Sequence, residues 1–178
     1  MKGTPQHAIL GLGSNLGDRA DIIGQAIGLL GKLPETRILA ISEAVDSDPV
    51  GYDDQPNFLN ICIAITCDLN PDELLAKTLE IESQLGRERT ANRNGPRTLD
   101  IDLLFYEGGP WDSPTVTLPH PRWSSRGFVV IPLSNLLQAP VLAKHPAWTS
   151  LAAEVRSLPI GGQGLRAWQG PTPWSKTP

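Results

Sequence analysis

The chain has 178 residues, 40% of them hydrophobic and 19% charged, with a net charge of −4 at pH 7. That length suits one domain able to bury about 70% of its unfolded surface, and the acidic balance argues against nucleic-acid or membrane binding. No cationic leader precedes a long apolar run and no apolar stretch approaches ~18 residues, so neither a signal peptide nor a membrane span is expected.

In chain order, residues 7–12 read as a buried first strand, followed by Gly11-x-Gly13-x-x-x-Gly17. The glycine spacing misses the dinucleotide fingerprint by one residue and lacks the ending of a P-loop, which leaves a tight strand-to-helix turn as the expectation. Ile22, Ala26, Leu29, Leu30 and Leu33 recur at helical spacing over 18–32, and Pro34 ends that helix. A second strand is expected over 37–44. Residues 46–56, with two prolines, a glycine and four aspartates, read as a loop. Residues 57–66 form a third strand with Phe58 and Asn60 on one face and Leu59, Ile61 and Ile63 on the other. Cys62 and Cys67 point to opposite faces there, which speaks for reduced thiols and a cytoplasmic location. Asn70-Pro71-Asp72-Glu73 is a helix start, with Asn at the N-cap, Pro at N1 and a carboxylate at N3. Leu74, Leu75, Thr78, Leu79 and either Ile81 or Glu82 give the inward stripe, and Gly86 stops the helix.

The stretch 86–128 holds six of the ten arginines and none of the five lysines. Arginine offers a rigid fork of donors that matches phosphate oxygens two at a time. Within this stretch 98–106 read as a strand, so Asp100 and Asp102 point the same way about 6–7 Å apart while Ile101 and Leu103 face the core. Two carboxylates so placed can hold one or two Mg²⁺ ions, whose other ligands are waters and substrate phosphates. A short strand over 115–118 and the turn Pro119-His120-Pro121-Arg122 lead to a last apolar element at 129–137. Residues 139–178 carry six prolines and three tryptophans and leave room for one short helix, 149–157. Strand, helix, strand, strand, helix, strand implies an α+β fold: a ferredoxin-like βαββαβ sandwich with an antiparallel sheet, helices on one face and long loops.

Arg93-x-Gly95-Pro96-Arg97-x-x-Asp100-Ile101-Asp102-Leu103-Leu104 resembles the signature of the 6-hydroxymethyl-7,8-dihydropterin pyrophosphokinases of folate biosynthesis. Gly11-Leu12-Gly13-Ser14-Asn15-Leu16-Gly17-Asp18-Arg19, Gln55-Pro56-Asn57-Phe58-Leu59-Asn60, and Pro119-His120 through Arg126-Gly127-Phe128 are similar to the same family in the same order, over about residues 8–137. The resemblance implies a catalytic domain at 1–138 with an extension at 139–178, packed on it or partly ordered. It implies pyrophosphate transfer from ATP to the pterin, with AMP as the other product, in a monomer. By the same resemblance Arg87, Arg97, Asp100 and Asp102 are catalytic, and the two aspartates hold two Mg²⁺ ions. Glu82, Arg89, His120, Arg122 and Arg126 meet ATP. Pro49, Val50, Gly51, Phe58, Asn60, Asn94 and Phe128 meet the pterin, with Ser14 and Asn15 bordering it. The chain departs from many members at Phe58 (Tyr), Asn94 (Trp) and Thr115 (Arg). Two other readings of the Asp pair and arginines are a nucleotidyltransferase or ordinary kinase, and an RNA-binding ferredoxin-like module.

Overall fold

The computed structural model describes residues 4–89, 92, 94–159 and 164–176; Arg93 of the arginine-rich motif lies outside them. In chain order the elements are β1 (Gln6–Ser14), α1 (Arg19–Leu30), β2 (Arg37–Ile41), β3 (Val45–Ser47), β4 (Phe58–Cys67), α2 (Pro71–Gln84), β5 (Asp100–Tyr106), β6 (Trp111–Asp112), β7 (Thr117–Leu118), α3 (Gly127–Leu136), α4 (Pro140–Ala143), α5 (Pro146–Ser157) and β8 (Leu165–Ala167). Short 3-10 turns occupy Trp123–Ser125 and Pro173–Lys176.

β1 and β4 are the most apolar strands and pair antiparallel along their length, so they occupy the centre of the sheet. β5 adds to the far side of β1, while β2 and β3 pair in turn with β4 and β8 adds to β3, every pairing antiparallel. β6 and β7 form a separate small hairpin. The result is a mixed α/β fold on an antiparallel sheet.

Alternate residues of the central strands feed two cores. Leu10, Leu12, Ile61, Ile63, Ile101 and Leu103 pack with Ile23 and Ile27 of α1 and Leu74 and Ile81 of α2. Ile9, Cys62, Ala64 and Leu104 pack on the opposite face with Val130 and Leu133 of α3, then Trp148, Leu151 and Val155 of α5. Helices therefore cover both faces, not one. The cause is β4, of whose ten residues nine are buried, so that a single helical layer would leave half its apolar side chains in water.

Three further expectations are corrected. The strand expected over 37–44 ends at Ile41, and β3 forms beyond it at Val45–Ser47, running into the expected loop; between them the Ser42 N–H donates to the Cys62 carbonyl at 2.9 Å while its hydroxyl accepts the Cys62 N–H at 2.9 Å. Leu79 of the expected inward stripe is exposed, whereas Ile81 and Glu82 are both buried. The tail holds two helices and a strand: Pro140 and Pro146, which read as breakers, sit in the first turns of α4 and α5, where a missing N–H costs nothing. Cys62 and Cys67 are buried free thiols, as expected.

α2 starts as its sequence indicates. Asn70 Oδ1 accepts the Glu73 N–H at 3.0 Å and Glu73 returns a carboxylate to the Asn70 N–H at 2.9 Å. Asn70→Ala should cost about 1 kcal/mol, read as a lowered urea midpoint at unchanged slope; an unshifted midpoint would mean that tertiary packing alone holds this helix start.

Candidate active site

The register of three strands sets the floor of one cleft. Gly13 lies opposite Asn60 on β4 and Asp100 on β5, and Gly11 lies opposite Cys62 and Asp102. Directly paired residues share a face, so Phe58, Asn60, Gly11, Gly13, Asp100 and Asp102 all look the same way, beside α3. Of the three glycines expected in a turn, Gly17, at φ +67°, lies in the connection from β1 to α1, while Gly11 and Gly13 belong to the strand floor. A Cβ at Gly13 would stand 3.2 Å from Asn60 Oδ1 and one at Gly11 3.4 Å from Leu104 Cδ1, so the glycines keep the floor low between the carboxylate pair and the aromatic side. The cleft above it encloses about 950 Å³.

At one side of the cleft the carboxylates meet arginines. Arg87 Nη1 lies 2.6 Å from Asp100 Oδ1 and 2.7 Å from Glu82 Oε1, Arg97 Nε lies 3.4 Å from Asp100 Oδ2, and Arg126 Nη1 lies 3.2 Å from Asp102 Oδ2. Loss of water pushes the Asp102 carboxyl up to about 6, and the Asp100 charge pushes the same way, against Arg126, Arg97 and Arg87. Glu82, behind them, accepts the Ile101 N–H at 2.8 Å; burial takes its carboxyl up to about 7 despite Ile101 and Arg87. The α2 stripe and the start of β5 place Glu82 there, so it acts on Asp100 through Arg87 and does not line the cleft. Arg89 is exposed, 3.6 Å from Glu82.

His120 follows the cis Leu118–Pro119 bond, and its N–H donates to the Leu104 carbonyl at 2.9 Å. Its Nδ1 accepts the Arg122 N–H at 3.1 Å, which leaves Nε2 as the protonated nitrogen of a neutral ring. Burial, then Arg126 and Arg122, holds it below its ordinary value. Thr115 is turned away from this side, its hydroxyl on Asp72 at the start of α2 together with Ser113 and Trp111.

On the other side Phe58 and Phe128 each carry an arginine over the ring, Arg97 at 5.1 Å and Arg126 at 5.7 Å. Asn60 spends its amide hydrogens within the protein, on Ser47 Oγ at 2.8 Å and on the carbonyls of Val45 and Phe58, and lies at the cleft. Pro49, Val50, Gly51 and Asn94 line the cleft from two loops, with Val50 60% exposed. Gly51 sits at φ +84°, and a Cβ there would come 2.8 Å from Asn94 Nδ2.

The sequence left Asn15 in second rank. Its side chain is 2% exposed, donates to Gln55 Oε1 at 2.9 Å and to the Pro56 carbonyl at 3.0 Å, and accepts the Arg97 N–H at 2.8 Å. Its own N–H donates to the Arg97 carbonyl at 3.2 Å. Ser14 is fully buried and lies outside the cleft lining. Sequence reasoning singled out neither Ser47, Asp48 and Asp53 nor Ser125 and Gly164, all of which line the cleft.

Arginines converging on a carboxylate pair at the base of a cleft are what an enzyme that moves phosphate-containing groups requires. The chain belongs to the family described as 7,8-dihydro-6-hydroxymethylpterin-pyrophosphokinase (HPPK), whose model matches residues 9–138. Two relatives, each named 2-amino-4-hydroxy-6-hydroxymethyldihydropteridine pyrophosphokinase, come from Bacillus subtilis and Methylorubrum extorquens. The first is 37% identical, covering 91% of this chain and 90% of that protein. The second is 40% identical, covering 82% and 92%. A crystal structure of a triple mutant of Plasmodium falciparum HPPK-DHPS has the same fold, with a TM-score of 0.63 at 13% identity over 93% of this chain. The chain spans about half of that longer protein (48%).

Asn15→Ala should cost about 2 kcal/mol, since it strands the Arg97 N–H and the Pro56 carbonyl, and it should speed proteolysis in 46–56; an unchanged cleavage rate would detach that loop from Asn15. Glu82→Gln tests the buried carboxyl. The folded state holds Glu82 up at about 7 against 4.5 when exposed, so its stability contribution is complete below 4.5 and lost as pH rises through 7. The substitution keeps an oxygen for the Ile101 N–H and should flatten the fall of Tm between about pH 5 and 8. A fall as steep as that of the parent protein would assign the pH dependence elsewhere.

Proposed function

We propose that this protein transfers the pyrophosphate group of ATP to 6-hydroxymethyl-7,8-dihydropterin, giving AMP and the pterin diphosphate, in folate biosynthesis. The observation that carries the reading is the family match over 9–138 together with Asp100 and Asp102 side by side on the cleft floor among Arg87, Arg97 and Arg126. The pterin hydroxyl oxygen attacks the β-phosphorus, the bond from that phosphorus to the α,β-bridging oxygen breaks, AMP leaves with that oxygen, and the hydroxyl proton is released.

The residues present fit a divalent cation. Asp100 and Asp102 share a face, and Asp100 opposes ionisation of Asp102, a repulsion that a dication relieves. These two would hold two Mg²⁺ ions, which when bound supply positive charge against the carboxylates and the ATP phosphates. Arg87 and Arg97 are the catalytic arginines of this proposal, lent by Asp100 to the phosphates. Arg89, Arg122, Arg126 and the Nε2–H of His120 serve the nucleotide, with Glu82 positioning Arg87 and Arg89. Phe58 and Phe128 sandwich the pterin, and Asn60 orients its edge with Pro49, Val50, Gly51 and Asn94 around it. Arg97 covers Phe58, so a ring that stacks there displaces the guanidinium; pterin entry and the release of Arg97 toward phosphate are then one event.

The strand order β5-β1-β4-β3, with α1 and α2 on one face, supports a ferredoxin-like βαββαβ core. Residues 1–138 are then the catalytic domain, with 139–178 as an extension of the same unit. A cytoplasmic monomer suits the free thiols; no helix among the described residues is long and apolar enough to cross a membrane.

Purified protein with ATP, Mg²⁺ and the pterin should release AMP only when the pterin is present, as resolved by chromatography. ADP would support an ordinary kinase, and pyrophosphate a nucleotidyltransferase. Asp102→Asn should lower turnover about 100-fold or more at unchanged Tm, and near-parental turnover would remove the pair from catalysis. Because Asp102 titrates at about 6, Mg²⁺ affinity should rise with pH up to that value and level off above it.

A further inference from the structure

A second group of ligating side chains lies at the other end of the same strands. His7 is the second residue of β1, Glu107 follows the last residue of β5, and His145 is the N-cap of α5. His7 is six residues along β1 from Gly13, about 20 Å at strand rise, so this group is remote from the cleft floor. One ligating atom from each of the three side chains lies within 4.8 Å of the other two.

The group is held from several sides. Glu107 Oε2 accepts the His7 N–H at 2.8 Å, which aims Oε1 at His145 Nε2, 3.5 Å away. The two imidazole centroids are 4.2 Å apart with a tilt of 36°. Behind them Trp148 of α5 lies nearly parallel to His7, and its Nε1–H donates to His7 Nδ1 at 3.4 Å. His145 Nδ1 is buried and has no hydrogen-bond partner among the described residues. Two imidazoles brought to a ring-to-ring distance this short, one with an unmatched nitrogen, are not the arrangement that hydrogen bonding alone would select.

We propose that His7, Glu107 and His145 form a site for one transition-metal dication of the Zn²⁺ class, with water completing the coordination. Two imidazole nitrogens and one carboxylate oxygen suit Zn²⁺, Ni²⁺ or Cu²⁺ and disfavour Mg²⁺, which prefers oxygen donors throughout. Ligand atoms around tetrahedral Zn²⁺ stand about 3.3 Å apart at bonds of roughly 2.0–2.1 Å, so the donors draw in by about 1.5 Å from their widest separation. All three residues are partly exposed, which leaves room for that movement. The ion would join the first strand, the end of β5 and the start of α5, fastening the extension to the sheet. Its role is structural, and it is separable from the transfer reaction at Asp100 and Asp102.

The test uses the full chain, stripped with a chelator, then titrated with Zn²⁺ in excess Mg²⁺ so that the cleft carboxylates are occupied. One Zn²⁺ per chain is expected by elemental analysis, with a raised Tm. Glu107→Gln and His145→Gln should each weaken Zn²⁺ binding by tenfold or more while leaving AMP formation unchanged, and Asp102→Asn should leave Zn²⁺ binding intact. Co²⁺ in place of Zn²⁺ should give the visible absorption of a four-coordinate ion, which mere surface binding does not produce. Absence of tight Zn²⁺ binding, indifference to both substitutions, or loss of Zn²⁺ in Asp102→Asn overturns the proposal.

Discussion

Both loops beside the cleft hang on one buried amide. Asn15 emerges from the end of β1 and fills its side-chain hydrogen-bonding positions with Gln55, Pro56 and the Arg97 N–H, while its backbone takes the Arg97 carbonyl. A primary amide offers two donors and an acceptor on one rigid plane, so the 46–56 loop and the residues leading into β5 keep a fixed spacing. Gln55 extends the link by donating to the Asn94 carbonyl at 2.7 Å. The two loops that bring Gly51 and Asn94 together are thus tied to each other and to the end of β1.

The carboxylate side is organised by a graded burial of charge. Glu82 lies deepest, Arg87 links it to Asp100, and Asp102 faces the cleft beside Arg126. Burial is the main reason that Asp102 rests at about 6 and Glu82 at about 7; the Asp100 charge adds to it, and the arginines pull the other way.

What the sequence made legible were features governed by local rules. The shared face of Asp100 and Asp102 follows from strand alternation, and the start of α2 follows from Asn70, Pro71 and Glu73, a capping box that needs no tertiary context. Gly11 and Gly13 were misread as a turn because a glycine within a strand is visible only through what its missing side chain leaves open, here Asn60 and Asp100 across two registers. Asn15 ranked low because its partners are 40 to 82 residues away. The tail was misread because proline breaks a helix in its middle but begins one at its first turn, and which applies depends on where Trp148, Leu151 and Val155 find a surface.

β8 has a consequence for how copies of the molecule meet. β3 would otherwise present a free row of backbone donors and acceptors beside the cleft, the kind of flank to which a foreign strand adds. The three residues of β8 occupy it, and Arg166 closes over the position with 2.8 and 2.7 Å contacts to Asp46 and Asp48. At the opposite flank the His120 N–H takes the Leu104 carbonyl of β5. The tail thus guards against strand-mediated aggregation, and a form clipped before β8 would keep Asp100, Asp102 and the arginines around them yet carry an adhesive edge.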